Sequence, residues 1–315
     1  MREETGTLAG EGSHGLGGRV WAPLITLWIV WGTTYLGTAA MVQSMPPLLG
    51  AGARYIVGAA VLAGALALIR GPRVLAIPRR QLRTTAITGI GIIGVWAALV
   101  ALALQHIPSG MAALVGATLP IWIVLLRMTR GERIGRKTAF GIVIGIVGMG
   151  AMLLPGGIAS ISGESAAVVT FWAGAVVVST MTYAYFSWRS RTLDLPRNTL
   201  VSTAYQLLAG GVVVFLVGLL VGEDVSLTGI TEASWAGFWW LVVASAVGYG
   251  AYTFLLQHAP VSLVSTFAFV NPLVAVILGW LILGEPFTRG VIIGLVVVVT
   301  GTALVVLGED RSRGG

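Results

Sequence analysis

Arg54 is the residue of this sequence whose position is chemically most unusual, because it lies inside a long apolar stretch. A charge in such a stretch is costly, and it usually faces an internal pathway or a partner group. From Leu48, Arg54 lies about 9 Å along a helix that rises about 1.5 Å per residue. We therefore weigh two interpretations evenly: Arg54 lines a pathway, or its long side chain reaches the nearest water interface.

A second candidate site combines aromatic and hydroxyl side chains at helical spacing. Trp31, Thr34, Tyr35 and Thr38 follow the spacing i, i+3, i+4 and i+7, which places them on one face of a helix. Further aromatic candidates in the middle of apolar stretches are Trp96, Tyr183, Tyr249 and Tyr252. An indole N–H or phenol O–H needs a partner when it is buried. These residues are predicted to line a cavity, with ordinary helix packing as the alternative.

Two prolines lie at matching places in two apolar stretches. Pro120 and Pro272 are each predicted to interrupt a helix and to free a carbonyl four residues earlier, at Gly116 and Ala268. Asn271 beside Pro272 could bond these freed groups or a ligand. Interrupted helices at corresponding positions of two halves are a sequence sign of a transport site, and a packing kink is the alternative.

Catalytic and metal chemistry are not predicted for this chain. It has no Cys, and no Asp or Glu falls inside the predicted helices. His106 and His258 lie at predicted helix ends without an evident partner acid, where a His commonly bonds terminal carbonyls. We therefore predict no catalytic residues, no metal site and no cofactor, since hydrolytic or transferase chemistry needs such groups to converge.

Ten apolar stretches are long enough to cross a bilayer as helices. Charged residues make up 10% of the 315 residues, against roughly 25% in soluble domains, and a hydrocarbon core needs roughly 20 apolar residues per helix. Backbone groups must bond internally in lipid, so the predicted fold class is an all-α integral membrane protein. The predicted transmembrane helices are 21–43, 48–69, 84–104, 107–127, 138–154, 166–188, 199–221, 234–257, 260–283 and 290–307.

The distribution of cations predicts the orientation. All but two of the 19 Lys and Arg residues lie in tails or loops that this helix order places on one side, and the exceptions are Arg54 and Arg289. The opposite loops at 155–165 and 222–233 carry acidic residues and no cation. This bias predicts that both termini are cytoplasmic. It also accounts for the net charge of +7 without nucleic acid, with the lipid bilayer as the surrounding partner.

An internal repeat divides the chain into two halves. Residues 104–108 (LQHIP) recur as 256–260 (LQHAP), and with a shift of one residue Gly131-Glu132 recurs as Gly284-Glu285. Five helices per half is an odd number, so the second half enters the membrane inverted relative to the first. The prediction is a disordered cytoplasmic tail at 1–20, repeats at 21–154 and 166–307 around a central cavity, and a cytoplasmic tail at 308–315.

The sequence resembles the drug/metabolite transporter superfamily, specifically its ten-helix EamA-type permeases, from about residue 24 to 307. The resemblance is carried by WGTT at 31–34, Pro46-Pro47 followed by Arg54, and the two patterns of Pro120 with Gly131-Glu132 and Pro272 with Gly284-Glu285-Pro286. It implies an inner or plasma membrane transporter with a small-molecule substrate, and it leaves homo-oligomers open.

From the resemblance and the repeat we expect a secondary transporter of small metabolites, amino acids or drug-like compounds. It is expected to export them by alternating access between the inverted repeats. A membrane-embedded sensor or channel is the alternative, followed by a membrane enzyme. Because no carboxylate falls inside the predicted helices, we expect facilitated export or exchange without proton coupling, with Glu285 near the outer end as the main residue that could change this.

Overall fold

The computed structural model describes residues 18–153, 164–259, 261–285 and 289–313. The regular structure in these ranges is entirely helical, which confirms the predicted all-α class. Eight helical segments are long and apolar enough to cross a membrane, and Phe267–Leu283 is a shorter apolar helix. The helix at the start of the chain begins at Gly18 and the last one extends to Arg313. The rest of the predicted N-terminal tail lies outside the described residues.

Fourteen α-helices follow one another along the described residues, and several predicted spans are built from two of them. They are α1 (Gly18–Gly32), α2 (Thr34–Met41), α3 (Pro47–Arg70), α4 (Arg79–Gly89), α5 (Val95–Ala103), α6 (Ser109–Gly116), α7 (Leu119–Met128), α8 (Arg136–Leu153), α9 (Ala166–Ser190), α10 (Thr199–Leu220), α11 (Glu232–His258), α12 (Val261–Val264), α13 (Phe267–Leu283) and α14 (Arg289–Arg313). A π-helical turn, Ile90–Gly94, joins α4 to α5.

The break in the fourth predicted span differs from the one expected at Pro120. The helix ends at Gly116 and resumes at Leu119, with the Thr118 hydroxyl donating to the carbonyl of Val115 at 2.6 Å. Pro120 therefore lies in the first turn of α7, where its missing N–H is not needed for a helical hydrogen bond. Pro272, by contrast, lies inside α13 as expected. The prediction that both prolines interrupt a helix from its middle is thus wrong for Pro120.

The chain has two parts, α1–α8 and α9–α14, and similar helix pairings run from each part to the other. α3 packs along α10, and α8 packs along α14. The helices α1 and α2 of the first part pack against α11 and α13 of the second. In the same way, α9 of the second part packs against α5, α6 and α7 of the first. If α9 is matched with α1 and α2, α11 with α5, and α13 with α6 and α7, these main pairings of one part have counterparts in the other.

Glycines bring the backbones of the α3–α10 and α8–α14 interfaces close together. A Cβ built on Gly52 of α3 would lie 2.5 Å from the backbone nitrogen of Phe215 on α10. A Cβ built on Gly301 of α14 would lie 2.5 Å from the backbone nitrogen of Gly145 on α8. Small residues allow such contact between helices in membranes, where packing rather than water exclusion holds helices together.

The two ends of the helix bundle carry opposite charge. At the acidic end, the Glu223 carboxylate accepts hydrogen bonds from the backbone N–H groups of Leu48 and Leu49 at the start of α3, at 2.8–3.1 Å. At the basic end, Arg80 Nε lies 3.6 Å from an Asp194 oxygen. Arg130 of the same end lies over a tryptophan ring, 5.3 Å from its centroid. This asymmetry is the one that the loop charges predicted.

Candidate functional site

A cavity of about 170 Å³ lies between the two parts of the chain. It is smaller than the roughly 300–1,000 Å³ of pockets for drug-sized ligands. Of the residues predicted from sequence, it brings together Trp31, Thr34, Tyr35, Arg54, Trp96, Tyr183, Tyr249, Asn271 and Pro272. The first part of the chain contributes five of these and the second part four. The space fits a molecule of metabolite size.

Arg54 is held at the cavity wall by its chain neighbour. One Nη donates to the Tyr55 hydroxyl at 2.7 Å, and the guanidinium carbon lies 3.8 Å from the centroid of the Tyr55 ring. The side chain is buried, with 6% of its surface exposed. Of the two interpretations left open by the sequence, this position fits the internal one, because a side chain that reached the water interface would be exposed.

Trp31 is the centre of an aromatic cluster on one side of the cavity. Its ring centroid lies 4.9 Å from that of Phe267, 5.2 Å from that of Tyr252 and 5.6 Å from that of Tyr249. The indole nitrogen approaches Gly248 so closely that a Cβ there would collide with it. Edge-to-face contacts of this kind hold aromatic rings in defined orientations. The cluster gives the cavity a rigid apolar wall.

A second row of rings crosses the cavity from Tyr35 through Trp96 to Tyr183. The successive centroid distances are 6.1 and 5.9 Å, with the planes nearly perpendicular. The Tyr35 hydroxyl lies against Gly116, the last residue of α6, in space that a Cβ would fill. Trp96 lies two residues after the π-helical turn, a helix irregularity that is frequent at functional sites. The turn thus lies close in sequence to one ring of the row.

The small hydroxyls of the cavity wall have already donated their hydrogens to the backbone. Thr34 donates to the Trp31 carbonyl at 2.7 Å, and Thr38 donates to the Thr34 carbonyl at 2.8 Å. Ser245 donates to the carbonyl of Leu241 at 2.9 Å. In the described residues, the hydroxyls of Tyr35, Tyr183 and Tyr249 have no such partner. The hydrogen-bond donors that remain for a ligand therefore come from the tyrosines, the indoles and Arg54.

Two sequence candidates lie outside the cavity lining, and a third also makes a contact between helices. Pro120 and Tyr252 do not line the cavity, although Leu119 does and Tyr252 supports Trp31 from behind. The Asn271 NH₂ group faces the carbonyls of Phe267 and Trp28, both at 3.2 Å. Asn271 therefore joins α13 to α1 as well as bordering the cavity.

The cavity is also lined by residues that were not predicted from the sequence. Tyr55, Ser245 and Phe267 line it in addition to the candidates. Ser245 lies four residues before Tyr249 and Phe267 four residues before Asn271, so helical spacing from each candidate would have found them. Tyr55 gives no such signal, because adjacent residues on a helix normally face different directions.

The two histidines lie at helix ends, away from the cavity. His258 Nδ1 lies 2.8 Å from the Phe254 carbonyl, as expected for a helix-end histidine. His106 Nδ1 lies 3.0 Å from a Glu164 oxygen, and its ring stacks on Trp172 with centroids 5.1 Å apart. The expectation that neither histidine has a partner acid is therefore wrong for His106. The acid was missed because it lies 58 residues away in sequence.

Glu285 has a structural partner at the acidic end. Its carboxylate accepts hydrogen bonds from the backbone N–H groups of Ser109 at 2.7 Å and Gly110 at 3.3 Å, at the start of α6. A carboxylate is favourable at a helix N-terminus, where backbone N–H groups lack partners. Glu285 thus ties the end of α13 to the start of α6, outside the residues that line the cavity.

Comparison with known proteins matches nearly the whole chain to membrane transporters. The profile of the EamA-like transporter family matches residues 20–154 and again residues 165–307. The uncharacterised inner membrane transporter YedA of Escherichia coli K12 is 30% identical over 287 residues, covering 91% of this chain and 90% of its own. A probable amino-acid metabolite efflux pump of Salmonella typhimurium is 25% identical over 301 residues, with 89% and 92% covered.

A solved crystal structure shares the fold. It matches with a TM-score of 0.64 at 20% sequence identity, covering 93% of this chain and 98% of that chain. At this identity the likeness concerns the arrangement of helices alone.

Proposed function

This chain belongs to the EamA-like transporter family, and we propose that it is a secondary transporter that exports a small metabolite by alternating access. The observation that carries the proposal is the cavity between the two parts of the chain, with aromatic walls and unused hydrogen-bond donors. The family and its named relatives show a multi-pass inner membrane transporter. Those relatives are named transporters or efflux pumps, which fits a protein that is not an enzyme.

Alternating access in this proposal is a movement of two inverted five-helix repeats around the cavity. Two observations support it. The family profile matches the chain twice, over 20–154 and 165–307, and the main helix pairings of one part have counterparts in the other. Inverted repeats with a binding site at their interface are common in secondary transporters, where one repeat rocks against the other.

Export is supported by one relative, the Salmonella protein named a probable amino-acid metabolite efflux pump. The test compares compounds in the medium of three cultures, one expressing this chain, one carrying an empty vector, and one expressing the double variant Trp31→Ala, Tyr35→Ala. An exporter should raise the external concentration of a small compound in the first culture alone. Equal release from the double variant, at equal amounts of folded protein, would contradict the role of the cavity.

We further propose that the basic end and both termini face the cytoplasm, in line with the positive-inside bias. The chain has no Cys, so a single introduced Cys can be labelled without background. Thr228 at the acidic end and Thr192 at the basic end are both exposed and form a matched pair. Thr228→Cys should react with an impermeant maleimide in whole cells, and Thr192→Cys only after lysis. The reverse pattern would overturn the orientation.

A further inference from the structure

Arg54 is a buried cation that has not used its full hydrogen-bonding capacity. One Nη is engaged by the Tyr55 hydroxyl, but Nε is buried without a partner in the part of the chain that the structure describes. Arginine keeps its charge in proteins. A buried charge and a buried donor without partners are both costly. An anionic ligand would remove both costs at once.

The remainder of the cavity wall offers Arg54 no counter-ion. Its lining, as far as the described residues form it, contains no Asp or Glu and no second cation. The hydroxyls of Thr34, Thr38 and Ser245 donate to their own helices. What remains for a ligand is one positive charge surrounded by neutral hydrogen-bond donors. Such a wall complements an acceptor that carries a single negative charge.

We propose that Arg54 binds the carboxylate of the substrate, and that the substrate is a small monoanion with a planar apolar body. This inference rests on the proposed transport function and specifies its substrate class. A guanidinium presents Nε–H and Nη–H in a fork that matches the two oxygens of a carboxylate. A phosphate dianion fits less well, because the second charge would face a cavity with no other cation.

The aromatic clusters select the body of the substrate. The rings of Trp31, Tyr249 and Phe267 form one apolar wall of the cavity that Arg54 also borders, and Tyr35, Trp96 and Tyr183 form another. Flat apolar groups stack on or meet the edges of such rings favourably. The volume of about 170 Å³ limits the body to a small ring system. A cation of the same shape would be repelled by Arg54.

The test uses three probes of almost identical shape and different charge: benzoate, benzamide and benzamidine. Their binding to the purified full chain in lipid nanodiscs is measured by titration calorimetry at neutral pH. Benzoate should bind about tenfold or more tightly than benzamide, the usual difference made by a charge-assisted hydrogen bond. Benzamidine, which is a cation, should bind most weakly. This comparison needs no variant, so it does not depend on the folding of one.

Variants of Arg54 test whether its guanidinium causes the preference for benzoate over benzamide. Arg54→Gln should lose the tenfold preference for benzoate over benzamide, and Arg54→Lys should retain part of it, because the charge remains without the fork. Arg289→Gln is the matched control, since Arg289 is the other cation outside the basic end and is exposed. It should bind the probes like the unaltered protein. Survival of the benzoate preference in Arg54→Gln would overturn the proposal.

Two further outcomes separate this inference from the transport function. If benzamide or benzamidine binds as tightly as benzoate, the anion site is wrong while export stands. If none of the three binds, the charge of the compounds released by expressing cells decides: carboxylates support the inference, and release of cations or neutral compounds alone overturns it. Absence of any released compound would instead count against the export function itself.

Discussion

Helix α3 takes part in two regions that are built in opposite ways. On one face, Gly52 lets the backbone of α3 touch that of α10, with no room for a methyl group. On the opposite face, two residues further along, Arg54 borders a cavity. Positions two apart on a helix of 3.6 residues per turn face about 200° apart. One short stretch of chain therefore supplies both a closed interface and an open site.

The two regions differ in the kind of atoms that surround their glycines. At the α3–α10 interface the neighbours of Gly52 are backbone atoms of Phe215, which cannot move without moving α10. In the cavity the neighbours of Gly116 and Gly248 are side-chain atoms of Trp31, Tyr35 and Trp96, which can be displaced or removed without moving a helix. A change at the interface should therefore lower the amount of folded protein, and a change in the cavity should lower transport in protein that still folds.

The largest effect is expected from Gly52→Ala. The added methyl group would lie 2.5–2.7 Å from the backbone of Phe215, and overpacking of this kind costs about 1–3 kcal/mol or more. We expect a clear loss of monodisperse protein in size-exclusion chromatography and a lower Tm. Gly64→Ala is the control, because Gly64 lies on the same helix with nothing within 4 Å. If both variants fold equally well, the close interface is not essential.

The next effect is expected from Trp31→Ala. Loss of the central ring removes the apolar wall that Phe267, Tyr249 and Tyr252 share, and buried aromatic anchors often contribute about 2 kcal/mol or more to binding. Release of the exported compound should fall by about tenfold or more. Trp239→Ala is the matched control, since Trp239 is 54% exposed. A parallel loss of folded protein in Trp31→Ala would show that the ring acts in packing alone.

A smaller effect, with a specific rescue, is expected from Gly116→Ala. The new methyl group would collide with the Tyr35 hydroxyl and lie 3.0 Å from the Trp96 ring. The Tyr35 ring would have to turn into the cavity, so release should fall by a few-fold while folding is kept. Tyr35→Phe removes the colliding oxygen, and the double variant should therefore recover the activity of Tyr35→Phe alone. Additive losses in this double-mutant cycle would show that the two residues do not meet.

The sequence predicted an all-helical membrane protein correctly, and the reason is physical. Apolar length and the positions of arginines are local properties, and the membrane turns them directly into spans and ends. The break at Ala117–Thr118 was misplaced because the Thr118 hydroxyl and the start of α7 fix it, while Pro120 simply fits the first turn. A proline does not reveal in sequence whether it interrupts a helix or begins one.

The sequence predicted most of the aromatic and polar residues that line the cavity but not the contacts between them. Helical spacing placed Trp31, Thr34 and Tyr35 on one face, and the structure brings them to one cavity. It could not show that Tyr55 would hold Arg54, or that Gly116 would accommodate the Tyr35 hydroxyl. Those contacts depend on helices that are far apart in sequence or on side-chain rotamers, and neither leaves a periodic pattern.

A pH gradient across the membrane is expected to have the smallest effect on transport. The reason is that the cavity and the acidic end differ in their titratable side chains. Three titratable side chains, those of Glu285, His106 and Glu164, lie at the acidic end, where Glu285 binds the start of α6 and His106 binds Glu164. As far as the structure describes it, the cavity lining contains no Asp, Glu or His that could exchange a proton between access states.

If the substrate is an anion, the membrane potential drives its export in addition to its own concentration gradient. A monoanion gains about 2.3 kcal/mol per 100 mV on leaving a cell whose interior is negative, which corresponds to roughly a fiftyfold concentration ratio. In liposomes with the released anion, a potassium diffusion potential should therefore change the flux strongly, and a pH difference should change it less than about twofold. Uphill accumulation under a pH difference alone, lost in Glu285→Gln or His106→Gln, would show instead that the acidic end passes protons and that the cavity does not act alone.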